Sequence, residues 1–234
     1  MNIKTELYAD GANIEDIKKL SSNPLVKGFT TNPSLMKKSG VKDYEKFSKE
    51  VITIVSPKPI SLEVFADEIE EMENQARKIA TWGDNVFVKI PIQNTKGMST
   101  SKLIEKLNKD NIKLNVTAIF TLEQIEGLIS LIDNVTPIIF SIFAGRIADT
   151  GIDPLNIMKK SVQLSEKHKN VKILWASPRE VFNIIQADQI GVHILTATKD
   201  ILEKTKLFGK DLDQYSLETV ETFYKDALVS GYKI

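Results

Sequence analysis

Short apolar runs alternate with longer amphipathic segments along the whole chain, with no low-complexity linker between them. The apolar runs predict strands at about 5–10, 25–30, 59–64, 85–91, 112–118, 136–143, 171–177 and 190–196. Amphipathic periodicity predicts helices at about 14–20, 44–55, 68–81, 99–109, 122–131, 154–167, 179–187 and 199–204. A last helix, at about 216–230, follows the polar segment 209–214. Asp43, Thr121 and Asp153 stand where N-caps belong, and Gly83 and Gly191 stand where helices stop. Eight β-then-α units in 234 residues point to one α/β domain, a closed parallel (β/α)8 TIM barrel with an extra C-terminal helix. A doubly wound open sheet is the alternative, and it usually shows a glycine-rich phosphate loop after its first strand. The first turn here is Asp10-Gly11-Ala12-Asn13, and no G-x-G-x-x-G or Walker sequence occurs anywhere.

Composition narrows the function classes. The 31 basic and 31 acidic residues balance, which removes the electrostatic case for nucleic acid or an anionic membrane. No apolar run approaches a membrane span of about 18–20 residues, and the N-terminus lacks a secretion signal's basic and apolar regions. Cysteine is absent, which excludes disulfides and thiolate chemistry and is compatible with a reducing cytoplasm. Only His168 and His193 are present, too few for a histidine-rich metal site. His168 reads as part of a solvated helix end, and His193 as a satisfied residue of an apolar strand. Arg77, Arg146 and Arg179 are the only arginines in a lysine-rich chain. A retained arginine suits a place where the planar fork matters, such as phosphate recognition, although Arg77 lies in a polar helix face.

The chemistry centres on Asn85-Val86-Phe87-Val88-Lys89-Ile90-Pro91, a buried strand with a lysine set into it. Taken alone, Lys89 reads as an ordinary strand-end lysine reaching solvent. The functional reading is an amine held neutral by desolvation, ready to attack a carbonyl. Bringing an amine from about 10.4 to about 7–8 costs roughly 4 kcal/mol, so the neighbours must decide. Alternate residues of a parallel barrel point inward, and catalytic groups sit at the C-terminal strand ends. By that rule Asp10, Thr30, Asn32, Ser61, Glu63, Lys89, Asn115, Thr117, Ser141, Phe143, Arg146 and Ser177 gather at one mouth, Trp175 sharing the side of Ser177. Each has an ordinary explanation, as a turn former, a small filler or a solvated strand end. A lysine and two carboxylates converging there make a site for proton transfer. Lys89 is the candidate nucleophile, and Asp10 and Glu63 move protons. Asn32, Asn115, Thr117 and Ser141 can bond a polyhydroxylated chain, while Arg146, Ser177 and Arg179 can hold a phosphate. Nothing in this set calls for a metal or an organic cofactor.

These residues resemble the transaldolase family over essentially the whole chain. The carrying motifs are Tyr8-Ala9-Asp10, Gly28-Phe29-Thr30-Thr31-Asn32-Pro33-Ser34-Leu35, Ser61-Leu62-Glu63-Val64, Val86-Phe87-Val88-Lys89-Ile90-Pro91, Asn115-Val116-Thr117, Ser141-Ile142-Phe143-Ala144-Gly145-Arg146 and Ala176-Ser177-Pro178-Arg179. The resemblance implies a Schiff-base (β/α)8 enzyme moving a dihydroxyacetone unit from a ketose phosphate to an aldose phosphate, in the pentose phosphate pathway or related metabolism. It implies Lys89 as the imine-forming lysine, Asp10 as the acid/base at the C4 hydroxyl, and Glu63 with Thr117 as holders of the catalytic water. Thr30, Asn32, Ser61, Asn115, Ser141 and Phe143 would surround the three-carbon piece, and Arg146, Ser177 and Arg179 the phosphate. Fructose-6-phosphate aldolases are similar, but carry glutamine and tyrosine where transaldolases carry glutamate and phenylalanine. This chain has Glu63 and Phe143, which favours transaldolase.

The chain departs from the family's pattern at Pro178, where phenylalanine is common, and in its Leu174-Trp175-Ala176 and Gln186-Ala187-Asp188-Gln189 segments. The phosphate end could therefore take a sugar other than fructose 6-phosphate. Short transaldolases often assemble as pentamers or decamers through the C-terminal helix. The expectation is thus a cytoplasmic homo-oligomer, with helix 216–230 as its contact or, more simply, as a cover for the barrel. An aldolase releasing free dihydroxyacetone, or a deoxyribose-phosphate-type aldolase that shares the lysine chemistry, and a non-catalytic sugar-phosphate module are the competing functions.

Overall fold

A computed structural model describes residues 3–132 and 135–234. Eight strands close into a barrel in chain order, β1 (Glu6–Asp10), β2 (Val26–Thr30), β3 (Ile60–Glu63), β4 (Val86–Pro91), β5 (Leu114–Ile119), β6 (Ile138–Ile142), β7 (Val171–Trp175) and β8 (Ile194–Ala197). Every neighbouring pair is parallel, and β8 pairs with β1 to close the ring. The helices are α1 (Ile14–Ser21), α2 (Pro33–Lys38), α3 (Tyr44–Val55), α4 (Ile69–Ala80), α5 (Ser101–Lys109), α6 (Leu122–Ile129), α7 (Ala144–Asp149), α8 (Leu155–Ser165), α9 (Phe182–Gln189), α10 (Lys199–Glu203) and α11 (Leu212–Ser230). The expected (β/α)8 barrel with its C-terminal helix is the fold observed.

Strand alternation sorts the core into two parts. Ile60 and Leu62 of β3 and Val86, Val88 and Ile90 of β4 join helical residues such as Met72, Ala76 and Ile79 in the layer between barrel and helices. Tyr8, Ile139, Leu174, Ala176 and Ile194, with Phe87 and Phe143 against them, fill the barrel interior. Because both faces of each strand are covered, the strands read as nearly continuous apolar runs. Polar residues inside them therefore stand out.

Local chemistry sets the boundaries. Asp43 caps α3 by accepting from Lys46 N, and Thr121 closes a capping box with Gln124 at the start of α6. Asp153 accepts from Leu155 N at 2.9 Å at the start of α8. Gly191 follows α9 with φ 77°, whereas Gly83 is not in the left-handed region and stands three residues beyond α4.

Four differences from the sequence reading matter. Helices α2 and α7 were not anticipated: six residues each are too few to show a helical period. Helix α11 begins at Leu212, not near 216, because Asp211 caps it, accepting from Gln214 N at 2.8 Å. Helix α9 begins at Phe182, not 179, and the Asn183 side chain accepts from Arg179 N and Glu180 N ahead of it. Strand β7 ends at Trp175, and Trp175 packs outward among the helices while Leu174 and Ala176 face in. Trp175 and Ser177 therefore do not share a side. Ser177, with φ 57°, has left the strand conformation, so period-2 counting no longer applies to it.

Within one chain α11 buries no side chain. Tyr215, Leu217, Val220, Phe223, Tyr224 and Leu228 along it are exposed. It does not act as a cover for its own barrel.

Candidate active site

The C-terminal mouth of the barrel holds a cavity of about 420 Å³. Asp10, Thr30, Asn32, Glu63, Lys89, Thr117, Ser141, Phe143, Arg146, Ser177 and Thr196 line it. Ten of these were expected from the sequence, and strand register explains their convergence. Asp10 pairs with Thr30 and Thr30 with Ser61, while Glu63, two residues farther along β3, pairs with Lys89 and Lys89 with Asn115, so inward-phase side chains of β1 to β5 reach the mouth at two adjoining levels.

Lys89 is 7% exposed. Its Nζ donates to the Thr31 carbonyl oxygen at 3.0 Å and stands 3.2 Å from Glu63 Oε2. The Glu63 contact is an ion pair without hydrogen-bond alignment, and Oε2 has no hydrogen-bond partner among the described residues. Thr117 Oγ1, also buried, has none either. Buried polar atoms are rarely left so. Tyr44, reaching in from α3, donates its hydroxyl to the Glu63 carbonyl oxygen at 2.9 Å and braces the end of β3.

Asp10 lies across the mouth. Thr30 Oγ1 donates to Asp10 Oδ1 at 2.8 Å. Enclosure by protein pushes the Asp10 carboxyl above the usual range; Lys89 and the Thr30 hydrogen bond pull it down, and Glu63 adds to the rise. A carboxyl with raised proton affinity is suited to both taking and returning a proton near neutral pH.

Other expected residues occupy different places. Asn115 Nδ2 donates to Ser61 Oγ at 2.8 Å, and Ser141 Oγ donates to Asn115 Oδ1 at 2.6 Å. Ser61 and Asn115 are fully buried in this network and do not line the cavity, whereas Ser141 does. Asn32 spends its Oδ1 as the N-cap of α2, accepting from Leu35 N at 3.0 Å. Arg146, on α7, stacks on Phe143 with its guanidinium 5.1 Å from the ring centre. It forms no ion pair among the described residues. Arg179 is not at the cavity wall: its guanidinium is paired with Asp149 and donates to the Ser177 carbonyl oxygen.

Thr196 and Tyr44 were missed. Thr196 follows Ile194 by two residues on β8, the inward phase, so the alternation applied to the other strands would have found it. Tyr44 comes from a helix, and no strand pattern points to it.

Comparison with known proteins gives the same reading of the whole chain. Residues 7–230 match the family described as Transaldolase/Fructose-6-phosphate aldolase. A protein of Streptococcus equi subsp. zooepidemicus named "Probable transaldolase" is 36% identical over 200 residues, 85% of this chain and 89% of that one. One of the same name from Methanococcus maripaludis is 35% identical over 214 residues, 91% and 94% of the two chains. Among solved structures, KGPDC from Streptococcus mutans superposes with a TM-score of 0.56 at 15% identity, covering 86% of this chain and 90% of its own. A 2,3-dimethylmalate lyase gives 0.60 at 7% identity, covering 98% and 84%; these two share the fold alone. With a buried strand-four lysine facing two carboxylates, and relatives aligned over nearly their full length, the chain belongs to the transaldolase/fructose-6-phosphate aldolase family.

Proposed function

We propose that this protein is a transaldolase, transferring a dihydroxyacetone unit from a ketose phosphate to an aldose phosphate through a Schiff base on Lys89. The observation that carries the reading is Lys89 buried beside Glu63 in the cavity that also holds Asp10 and, at its wall, Arg146.

Lys89 Nζ attacks the C2 carbonyl of the ketose, and its surplus proton passes toward Glu63. The C2 hydroxyl of the carbinolamine is protonated and leaves as water, giving the iminium. Glu63 Oε2 and Thr117 Oγ1, both without hydrogen-bond partners among the described residues, are positioned to bind that water. Asp10 then takes the proton of the C4 hydroxyl. The C3–C4 bond breaks, its electron pair flows into the iminium, and the aldose phosphate departs as an aldehyde. The bound enamine attacks the next aldehyde, Asp10 returns the proton, and hydrolysis at C2 frees Lys89. Thr30, Asn32 and Ser141 support the sugar hydroxyls, while Ser61 and Asn115 hold Ser141 in place from below. Arg146, with Ser177, binds the phosphate and supplies orientation remote from the reacting carbons. Phe143 offers no hydroxyl to the catalytic water, which favours transfer over release of free dihydroxyacetone.

A cytoplasmic setting and a homo-oligomer complete the reading. Among the described residues no helix is long and apolar enough to cross a membrane. The exposed apolar residues of α11 are its contact with a neighbouring copy, an arrangement supported by their failure to bury on their own barrel. Light scattering of the full chain and of a chain ending at Lys210 checks this, since equal subunit numbers would remove α11 from the assembly.

The deciding experiment is a coupled assay with fructose 6-phosphate, with and without erythrose 4-phosphate, joined to borohydride reduction. Acceptor-dependent cleavage and a three-carbon mass gain on Lys89 are expected. Cleavage that needs no acceptor would make the protein an aldolase, and binding without trapping would make it a sugar-phosphate module.

A further inference from the structure

We propose that Thr196 is a positioning residue for the reaction, setting the proton affinity of Asp10 through the hydroxyl of Thr30. Thr30 Oγ1 lies 2.8 Å from Asp10 Oδ1 and 2.6 Å from Thr196 Oγ1. The two threonines stand on β2 and β8, the strands that flank β1, so the three groups form one line across the mouth. Both hydroxyls are buried, Thr30 at 3% and Thr196 at 5% exposure.

A hydroxyl has one proton to give. While Asp10 is ionised, Thr30 gives its proton to Asp10 and must accept from Thr196. When Asp10 carries the proton it can donate to Thr30, which then donates to Thr196. The line thus reverses direction as Asp10 gains and loses its proton, and in both states every hydrogen between oxygens has an acceptor. The contacts to the anion are charge-assisted and the stronger of the two sets, and chained hydrogen bonds polarise one another. Thr196 therefore favours the carboxylate, the form that must take the C4 hydroxyl proton. Without it, Thr30 is a weaker donor.

The charged groups around Asp10 are few. Glu63 faces it from β3 and Lys89 from β4, and Arg146 of α7 shares the cavity. From β2 and β8 only hydroxyls face it, and Lys199, just beyond β8, is paired with Asp16 of α1. Nothing charged on β8 competes with Thr196 for this role.

The catalytic meaning rests on Asp10 being the C4 hydroxyl base, so the test is separated from that reading. Carbon-13 NMR of the Asp carboxyls, with Asp10→Asn for assignment, gives the Asp10 titration midpoint in the full chain without any need for turnover. Thr196→Val should raise that midpoint by about half a pH unit, about a threefold gain in proton affinity. The pH dependence of kcat/KM should move with it, the donor KM should change less than about twofold, and Thr196→Ser should restore the original midpoint. Thr196→Ala serves if the valine variant does not fold. A midpoint unmoved in these variants overturns the proposal, as does a rise in donor KM with an unmoved midpoint, which would make Thr196 a substrate contact. Failure to trap Lys89 in the unaltered protein would instead count against the transaldolase reading.

Discussion

A β-carbon placed on Gly145 would lie 1.5 Å from the carbonyl oxygen of Ser177. The first turn of α7 thus meets the end of β7 backbone against backbone, and Gly145 N donates to the Ala176 carbonyl oxygen at 3.3 Å. This approach puts Arg146 and Ser177 on the wall of one cavity. Gly145→Ala must push the two segments apart. The expected cost is about 3 kcal/mol, at the upper end for overpacking. In a chain of this size that corresponds to roughly 6–12 °C in Tm. Calorimetry showing less than a degree of change would mean the approach is not tight.

Asp10 predicts a stability that depends on pH. Its carboxyl holds its proton more tightly when folded than when unfolded, mainly through burial. The unfolded chain therefore releases this proton first, and the folded state loses stability as pH rises from about 3.9 through the raised folded value. Asp10→Asn carries no such charge. Relative to the unaltered protein, the Asp10→Asn variant should gain stability from acid toward neutral pH. Urea unfolding at pH 4 and pH 7 checks the sign, and a gain larger at pH 4 would contradict it.

Arg146 and Arg179 should separate in kinetics. Arg146 lines the cavity and forms no ion pair among the described residues, while Arg179 is held by Asp149 outside its wall. Losing a hydrogen bond to a charged group costs about 1.5–3 kcal/mol, so Arg146→Ala should raise the KM of a phosphorylated donor about 10- to 100-fold. Arg179→Ala breaks a largely exposed pair worth about 1 kcal/mol or less, and should change that KM less than about fivefold. Equal losses would show that Arg179 turns to the phosphate when substrate arrives.

Phe143 should control the fate of the intermediate. It lines the cavity beside Arg146, with Phe120 at 5.7 Å behind it. Phe143→Tyr adds one hydroxyl where the proposed water is handled, which should speed hydrolysis of the bound three-carbon unit by on the order of tenfold. Release of dihydroxyacetone without an acceptor measures it directly. No increase would place the water elsewhere.

Much of the site was legible because a strand's side-chain phase is local. Phe87 and Lys89 face in because Val86, Val88 and Ile90 face the helices, and the same count brings Glu63, Thr117 and Ser141 to the mouth. The count failed where the backbone left the strand conformation. Trp175 and Ser177 were placed together until the positive φ at Ser177 separated them. Helices α2 and α7 escaped notice for want of length, although Asn32-Pro33 carries a cap and a first-turn proline.

What the amino-acid order determined by itself, for β3 to β6 though not for β7, was which residues face inward and which outward, hence the closed parallel barrel and the convergence of Lys89, Asp10 and Glu63. Only the tertiary structure decided which partners those inward residues take. Arg179 went to Asp149, Asn115 to Ser61 and Ser141, and Thr30 to both Asp10 and Thr196, the last from 166 residues away in the chain. Facing is set by alternation within a few residues of backbone. Pairing is set by the register between strands and by barrel closure, which no local pattern contains.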